Sequence, residues 1–165
     1  MGHSECTGLP DEHARWMRYQ HALTTVPDTG EPALVTAVLD DSDQVMAQSA
    51  VVGHIDRRAI ALLDEPGYPA WAQAMTDAVE EYPFIVQRIH EWSLLRAITL
   101  SEPWQPDALI SSSDWLQRKV SRSMTSPQAL TILAGAGRTR RVRNTAERNL
   151  DINPDDLQTG PVHRN

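Results

Sequence analysis

The placement of the eleven prolines constrains the fold of this chain more than any other feature. Proline is tolerated in the first turn of a helix, where its missing N–H costs nothing, and it disrupts a helix interior. Seven prolines open segments of helical character: Pro10, Pro32, Pro69, Pro83, Pro106, Pro127 and Pro154. Ser126 and Asn153 precede two of these as capping side chains. Three further prolines follow such segments and would end them: Pro27, Pro66 and Pro103.

Apolar residues between these prolines recur at helical spacing and form three stripes. The stripes are Val45, Ser49, Val52, Ile55, Ala59 and Leu62; Ile85, Ile89, Trp92 and Leu95; and Leu109, Leu116, Val120 and Met124. No segment alternates with a period of two, and no Asn-Gly or Asp-Gly pair indicates a hairpin of strands. We therefore predict an all-α protein of about eight helices, at residues 10–26, 32–40, 43–63, 69–80, 83–101, 106–124, 127–136 and 138–150.

The composition, with 41% apolar and 22% charged residues, is typical of a soluble globular protein. We predict a single all-α domain at residues 10–157 between flexible ends at residues 1–9 and 158–165. No apolar run reaches the roughly 18 residues of a membrane span, and no signal-peptide pattern opens the chain. The only cysteine, Cys6, excludes an internal disulfide and a cysteine-rich zinc site. These features predict a cytoplasmic protein.

Consecutive helices joined by two or three residues must lie antiparallel, so the series predicts helical hairpins. The second helices of three pairs are alike and begin near Val45, Ile85 and Val142, each expected to point inward. Val45 and Ile85 are 40 residues apart, whereas Val142 follows Ile85 by 57. The long helix at 106–124 therefore interrupts any regular repeat.

Residues 31–55 combine an apolar first helix, an Asp-rich turn and a second helix, and this segment resembles a HEAT repeat. Residues 140–150 resemble the V-R-x-x-A-x-x-x-L pattern of HEAT second helices through Val142, Arg143, Ala146 and Leu150. The resemblance covers about residues 31–150, and HEAT repeats have a period of about 40–47 residues. It implies antiparallel hairpins stacked in a right-handed array; the alternative is a compact, irregular α-bundle.

The last predicted helix concentrates arginine in a chain whose net charge is −7. At about 100° per residue, Val142, Ala146 and Leu150 span about 80° of the helix, with Arg140, Arg141 and Arg148 opposite them. Arg138 and Arg143 flank the apolar stripe. This face is either a solvated surface with salt bridges to acidic neighbours or a patch that binds an anion, a nucleic acid or an acidic partner. The net charge disfavours nucleic acid.

Aromatic and histidine side chains supply few further candidates for binding or catalytic residues. Trp104 lies in a short loop between two prolines, where it either anchors a partner or folds back over the core. We expect the other tryptophans, Trp16, Trp71, Trp92 and Trp115, to be buried. His90 and Glu91 are adjacent on a helix and cannot share a proton, because neighbouring helical side chains diverge by about 100°.

Two glycine- or aspartate-containing segments resemble ligand-binding loops and lack the residues that such loops need. "GAG" at residues 135–137 has no P-loop lysine after it, so we interpret it as a glycine cap between two helices. The segment from Asp151 has Asp156 where a calcium loop needs glycine and Val162 where it needs a bidentate glutamate. We predict no catalytic residue, metal or cofactor.

The sequence thus favours a non-enzymatic adaptor or regulatory module that binds another protein. The candidate binding residues are Arg138, Arg140, Arg141, Arg143, Arg148 and Trp104. One alternative is a nucleic-acid-binding protein similar to HEAT-like DNA glycosylases. Another is an immunity or inhibitor protein whose acidic surface blocks a basic enzyme.

Overall fold

The computed structural model describes residues 8–123 and 126–152, and all regular structure in these ranges is helical. The nine α-helices in the described ranges are α1 (Gly8–Thr25), α2 (Glu31–Leu39), α3 (Gln44–Leu62), α4 (Tyr68–Ala78), α5 (Pro83–Thr99), α6 (Pro106–Ser111), α7 (Asp114–Arg122), α8 (Pro127–Ala136) and α9 (Arg140–Asp151). A 3₁₀ turn at Asp28–Gly30 separates α1 from α2. The all-α prediction is confirmed. None of these helices is long and apolar enough to cross a membrane.

Some predictions fall outside the described residues. They concern Cys6, Met124, the short helix at Pro154, the tail at 158–165 and most of the segment compared with a calcium loop.

Proline and capping residues define the helix starts, as the sequence predicts. Proline occupies the first or second position of five helices, α2, α4, α5, α6 and α8. Side chains cap the N-termini of α3, α7, α8 and α9 by accepting a hydrogen bond from a backbone N–H of the first turn. The capping residues are Asp43, Ser113, Ser126 and Thr139. Such caps satisfy N–H groups that lack a partner within the helix.

The described residues divide into two compact units, with the boundary inside α5 between His90 and Glu91. In the N-terminal unit, α1 and α2 both pack against α3, and α2 also packs against α4. Its largest fully buried side chains are Leu23, Leu39, Ile55, Tyr68, Met75, Ile85 and Ile89. The single domain predicted for residues 10–157 stays a prediction.

The C-terminal unit contains the rest of α5 and helices α6 to α9. Helices α8 and α9 form the most closely packed pair and are joined by only three residues, 137–139, and α9 also packs against α7. Its largest fully buried side chains are Trp92, Ile98, Leu109, Leu116 and Leu133. The α8–α9 pair is thus a helical hairpin of the predicted kind.

The single helix predicted at 106–124 is wrong, because the chain breaks into α6 and α7 at Ser112 and Ser113. Ser113 has an extended backbone, and its Oγ accepts a hydrogen bond from Leu116 N. The carboxylate of Glu91 accepts hydrogen bonds from Ser113 N and from Ser113 Oγ, both at 2.7 Å. These bonds stabilise a helix start where the apolar spacing predicts a continuous helix.

Two predictions of inward-facing residues are also wrong. Val45 on α3 is 83% exposed, because the buried face of α3 is formed by Ala47, Ala50, Val51, His54, Ile55 and Ala59. Trp16 on α1 is 36% exposed rather than buried. In contrast Ile85, Trp92 and Val142 are buried, as predicted. The HEAT-like stacking of the hairpins stays a prediction.

Candidate functional site

Helix α9 presents its arginines to solvent, as the helical wheel predicts. Thr139 caps the helix by accepting a hydrogen bond from Val142 N at 3.2 Å. Val142 and Ala146 are completely buried and anchor one face. Three arginines lie exposed on other faces of the helix: Arg140, Arg141 and Arg148. The orientation of α9 therefore follows from burial of its small apolar stripe.

The turn into α9 depends on Gly137 and Arg143. α8 ends at Ala136 and Gly137 follows it, as the glycine-cap interpretation expects. A Cβ atom at Gly137 would lie 2.5 Å from Leu133 O and 2.8 Å from Val142 Cγ1, so only glycine fits between the two helices. Arg143 donates a hydrogen bond from Nη1 to the Gly137 carbonyl at 2.7 Å. Arg143 thus stabilises the hairpin and is only half-exposed.

Two amide side chains fix α9 against the helices before it. Gln117 of α7 is completely buried; its Nε2 donates to Leu109 O and Ile110 O, and its Oε1 accepts from Arg138 N at 2.8 Å. Asn149 of α9 donates from Nδ2 to Ser121 O at 2.7 Å. Buried amide networks of this kind specify one arrangement of the helices. The side chains on the outer faces of α7 and α9 are therefore held in fixed proximity.

An open groove of about 1120 Å³ lies over this pair of helices. We call its four arginines, Arg122, Arg140, Arg141 and Arg148, the arginine surface. The remaining lining residues are Asn144, Thr145, Glu147, Asn149 and Ile152. Glu147 is the only acidic residue in the lining, so the groove carries a net charge of +3. Three of its arginines are among the predicted binding residues, and Arg122 is an addition from α7.

The salt bridges to acidic neighbours that one interpretation predicts for these arginines are not formed within the described residues. Arg122, Arg140 and Arg141 have no acidic side chain within salt-bridge distance there. Arg148 donates only to its own helix, to Asn144 O at 3.3 Å and Thr145 Oγ1 at 3.4 Å. Solvent-exposed guanidinium groups that face the same groove attract an anion.

A second depression, of about 350 Å³, shares Arg122 with the groove and adds aromatic surface. Lys119 Nζ lies 5.0 Å from the centroid of Trp92 and 5.3 Å from that of Trp115, within the range of cation–π contacts. Arg118 forms a salt bridge with Asp114 one helical turn earlier. Trp92 is buried as predicted, whereas Trp115 is half-buried and reaches the surface beside these cations.

Charge is distributed unevenly along the chain, which the net charge of −7 conceals. Residues 8–90 contain five basic and thirteen acidic residues, a net charge of −8. Residues 91–152 contain nine basic and six acidic residues, a net charge of +3. The electrostatic argument against polyanions therefore applies to the N-terminal unit and not to the unit that carries the arginine surface.

The other predicted residues lie away from the groove. Arg138 is exposed, and its backbone N–H donates a hydrogen bond to Gln117 Oε1. Trp104 is half-buried in the loop between α5 and α6. His90 is exposed, while Glu91 is buried and binds Ser113. The groove thus contains half of the six predicted binding residues.

Sequence reasoning missed a buried polar cluster centred on Glu31, the first residue of α2. Glu31 is 1% exposed. Its Oε1 lies 2.7 Å from His54 Nε2 and accepts a hydrogen bond from Trp71 Nε1 at 3.0 Å. Arg58 Nε donates to both carboxylate oxygens at 3.2 Å, and Arg58 Nη2 donates to Asp28 Oδ1 at 2.7 Å. One carboxylate therefore connects α2 to α3 and α4.

The cluster keeps Glu31 ionised although it is buried. Burial alone would raise the pKa of this carboxyl, because it penalises the charged form. Hydrogen bonds from His54, Trp71 and Arg58, together with the charge of Arg58, outweigh burial and lower the pKa of Glu31 to about 2. The hydrogen bonds that the Glu31 carboxylate accepts from α3 and α4 cross-link these two helices to α2.

No group of three or more histidine, cysteine, aspartate or glutamate side chains in the described part of the chain could hold a metal ion. Comparison of the chain with protein-family models, with curated proteins and with solved structures finds no match.

Proposed function

We propose that the protein is a non-enzymatic binding module whose C-terminal unit binds an acidic segment of a partner protein on the arginine surface. One observation carries this proposal: Arg122, Arg140 and Arg141 line one groove and form no salt bridge within the described residues. Arginine suits this role because its planar guanidinium binds a carboxylate with two parallel hydrogen bonds.

The framework beneath the groove supports the same function. Gln117 and Asn149 hold α9 on α7 through hydrogen bonds to backbone groups. The spacing between the arginines is therefore set before a partner binds. A preorganised surface loses less conformational freedom on binding than a flexible one. Charge complementarity of this kind raises the association rate and selects acidic partners over basic ones.

The direct test is fluorescence anisotropy with a labelled oligo-glutamate peptide. We expect Arg140→Glu/Arg141→Glu to weaken binding roughly tenfold or more, since attraction at two positions becomes repulsion. The matched control is Arg18→Glu/Arg57→Glu, which changes the net charge equally at two exposed positions of the N-terminal unit. Equal loss of affinity in both variants would indicate a non-specific charge effect and refute the proposed surface.

Thermal unfolding of the same variants separates binding from stability. Arg140 and Arg141 are exposed and unpaired within the described residues, and they lie in the first turn of α9, where the helix dipole favours carboxylates, so their reversal should not lower the free energy of unfolding. A large loss of stability would instead show that these arginines support the fold. A peptide that fails to bind the wild-type protein even at low salt would also refute the proposal.

Nucleic acid is the second candidate ligand, because residues 91–152 carry a net charge of +3 and Trp115 lies beside their cations. Aromatic side chains next to basic grooves can stack nucleic-acid bases. Single-stranded and duplex oligonucleotides measured in the same assay distinguish the two candidates. Tighter binding of the oligonucleotides, with a steep salt dependence, would favour this candidate over the acidic peptide. The inhibitor alternative would use the N-terminal unit, in which residues 8–90 carry a net charge of −8.

A further inference from the structure

A small cavity in the N-terminal unit borders the Glu31 cluster. Its volume is about 250 Å³, below the range of about 300–1,000 Å³ that accommodates drug-sized ligands. Pro32, Leu62, Trp71, Ala74 and Met75 supply most of the lining, and the charged residues are Asp28, Glu31 and Arg58. The cavity thus combines an apolar interior with a small charged region, which is typical of sites for small ligands.

The hydrogen-bond donors around this cavity are largely occupied. His54 Nε2, Trp71 Nε1 and Arg58 Nε all contact the carboxylate of Glu31, and Arg58 Nη2 binds Asp28 Oδ1. Asp28 Oδ2 accepts no hydrogen bond from the described residues, and its side chain is 82% exposed. Asp28, which is one of the lining residues, therefore has a carboxylate oxygen available to a ligand.

The charges around the cavity also favour a cation over an anion. Two carboxylates and one guanidinium give the lining a net charge of −1. Residues 8–90, which include this lining, carry a net charge of −8. An anionic ligand would have to compete with Asp28 and Glu31 for Arg58, whereas a cation is attracted by the net negative charge of the lining, which Arg58 offsets only in part.

We propose that this cavity binds a small organic cation, an ammonium group attached to an apolar body. The ammonium group lies beside Asp28, and the apolar body packs against Trp71, Leu62 and Met75. Aromatic side chains favour such ligands because the ring also attracts the positive charge. This site is independent of the arginine surface, which belongs to the C-terminal unit.

The test compares benzylammonium with benzyl alcohol and phenylacetate, which are its neutral and anionic analogues, by calorimetry and ligand-observed NMR. For a ligand of this size we expect a Kd on the order of 1–10 mM for benzylammonium. Benzyl alcohol should bind more weakly and phenylacetate more weakly still. Phenylacetate binding as tightly as benzylammonium, or no benzylammonium binding at these concentrations, would overturn the proposal.

Gly67→Leu tests the location of the site. Gly67 lines the cavity with helical backbone angles, and a Cβ atom there would meet no atom within 4 Å, so the fold accepts a side chain. The leucine should occupy the cavity and weaken benzylammonium binding roughly tenfold. Gly135→Leu is the matched control, because Gly135 on α8 also has open space around it. Unchanged affinity in Gly67→Leu would place the ligand elsewhere and overturn the proposal.

Asp28→Asn tests the charge. The Asp28 side chain is exposed, so this variant should fold normally while it binds benzylammonium roughly threefold more weakly. Its affinity for benzyl alcohol should stay the same. Equal loss for both ligands would show that Asp28 supports the shape of the cavity and would overturn the proposed role of its charge.

Discussion

Replacement of Glu31 by glutamine should be strongly destabilising, because one buried carboxylate connects three helices. The substitution keeps the size of the side chain and removes its charge. It also places an NH₂ group among the donors of His54, Trp71 and Arg58. In the wild-type protein all three donors contact a carboxylate oxygen of Glu31. At least one of these donors, buried in the fold, then loses its acceptor.

The magnitude follows from the pKa of Glu31. A decrease from 4.5 to about 2 means that the folded state favours the ionised form by about 3 kcal/mol at neutral pH. Removal of one partner from a buried ion pair typically costs about 3–5 kcal/mol. We therefore expect Glu31→Gln to lower the free energy of unfolding by about 3–5 kcal/mol.

Urea unfolding followed by circular dichroism provides the measurement, with Glu80→Gln as control. Glu80 is exposed, so the same chemical change there should shift the free energy of unfolding by less than about 0.5 kcal/mol. A loss below about 1 kcal/mol for Glu31→Gln would refute the argument that this carboxylate cross-links the helices.

The pH dependence of the difference in the free energy of unfolding between wild type and Glu31→Gln gives a sharper test. The pKa of Glu31 is lowered in the folded state, so its stabilisation is complete above the unfolded value of 4.5 and is lost as pH falls towards about 2. The difference between wild type and Glu31→Gln should therefore shrink by roughly half between about pH 6 and about pH 3. An equal difference at both pH values would show that the loss comes from packing and not from the charge.

Two further substitutions test the C-terminal unit. Gly137→Ala should cost about 1–3 kcal/mol by urea unfolding, because its Cβ would overlap Leu133 O, whereas Gly135→Ala should be neutral or stabilising. A neutral Gly137→Ala would contradict the close packing of α8 on α9. Ser113→Ala should cost about 1–2 kcal/mol, since it removes the cap of α7 and a hydrogen bond to Glu91. Ser111→Ala, at an exposed position, is its control, and equal losses in the two variants would argue against the capping role.

Local features predict much of this fold. Proline at the first helical turns and capping side chains such as Ser126 act within a few residues, so the helix starts can be derived without tertiary structure. The break between α6 and α7 has a local signal too, since Ser113 is a favourable N-cap residue. The helical spacing of Leu109, Leu116 and Val120 instead predicts one continuous helix. All three side chains are indeed buried, but they lie on two helices.

The Glu31 cluster illustrates what sequence patterns do not contain. Its partners His54, Arg58 and Trp71 lie 23, 27 and 40 residues away in the chain. No periodicity relates these positions, and a glutamate beside a proline at a helix start is ordinary. The contact exists only because α2 packs against both α3 and α4. Polar clusters assembled from separate helices therefore require the tertiary structure.

The arginine surface follows in part from local sequence patterns and in part from contacts between separate helices. Periodicity predicts that Arg140, Arg141 and Arg148 face solvent, because the apolar stripe of α9 determines which side is buried. It does not predict Arg122, whose place beside them depends on the bond from Asn149 to Ser121 across 28 residues. Net charge is also uninformative here, because repulsion of an anion depends on charges within about one Debye length, roughly 10 Å. A groove with four arginines and one glutamate therefore attracts anions within a chain of net charge −7.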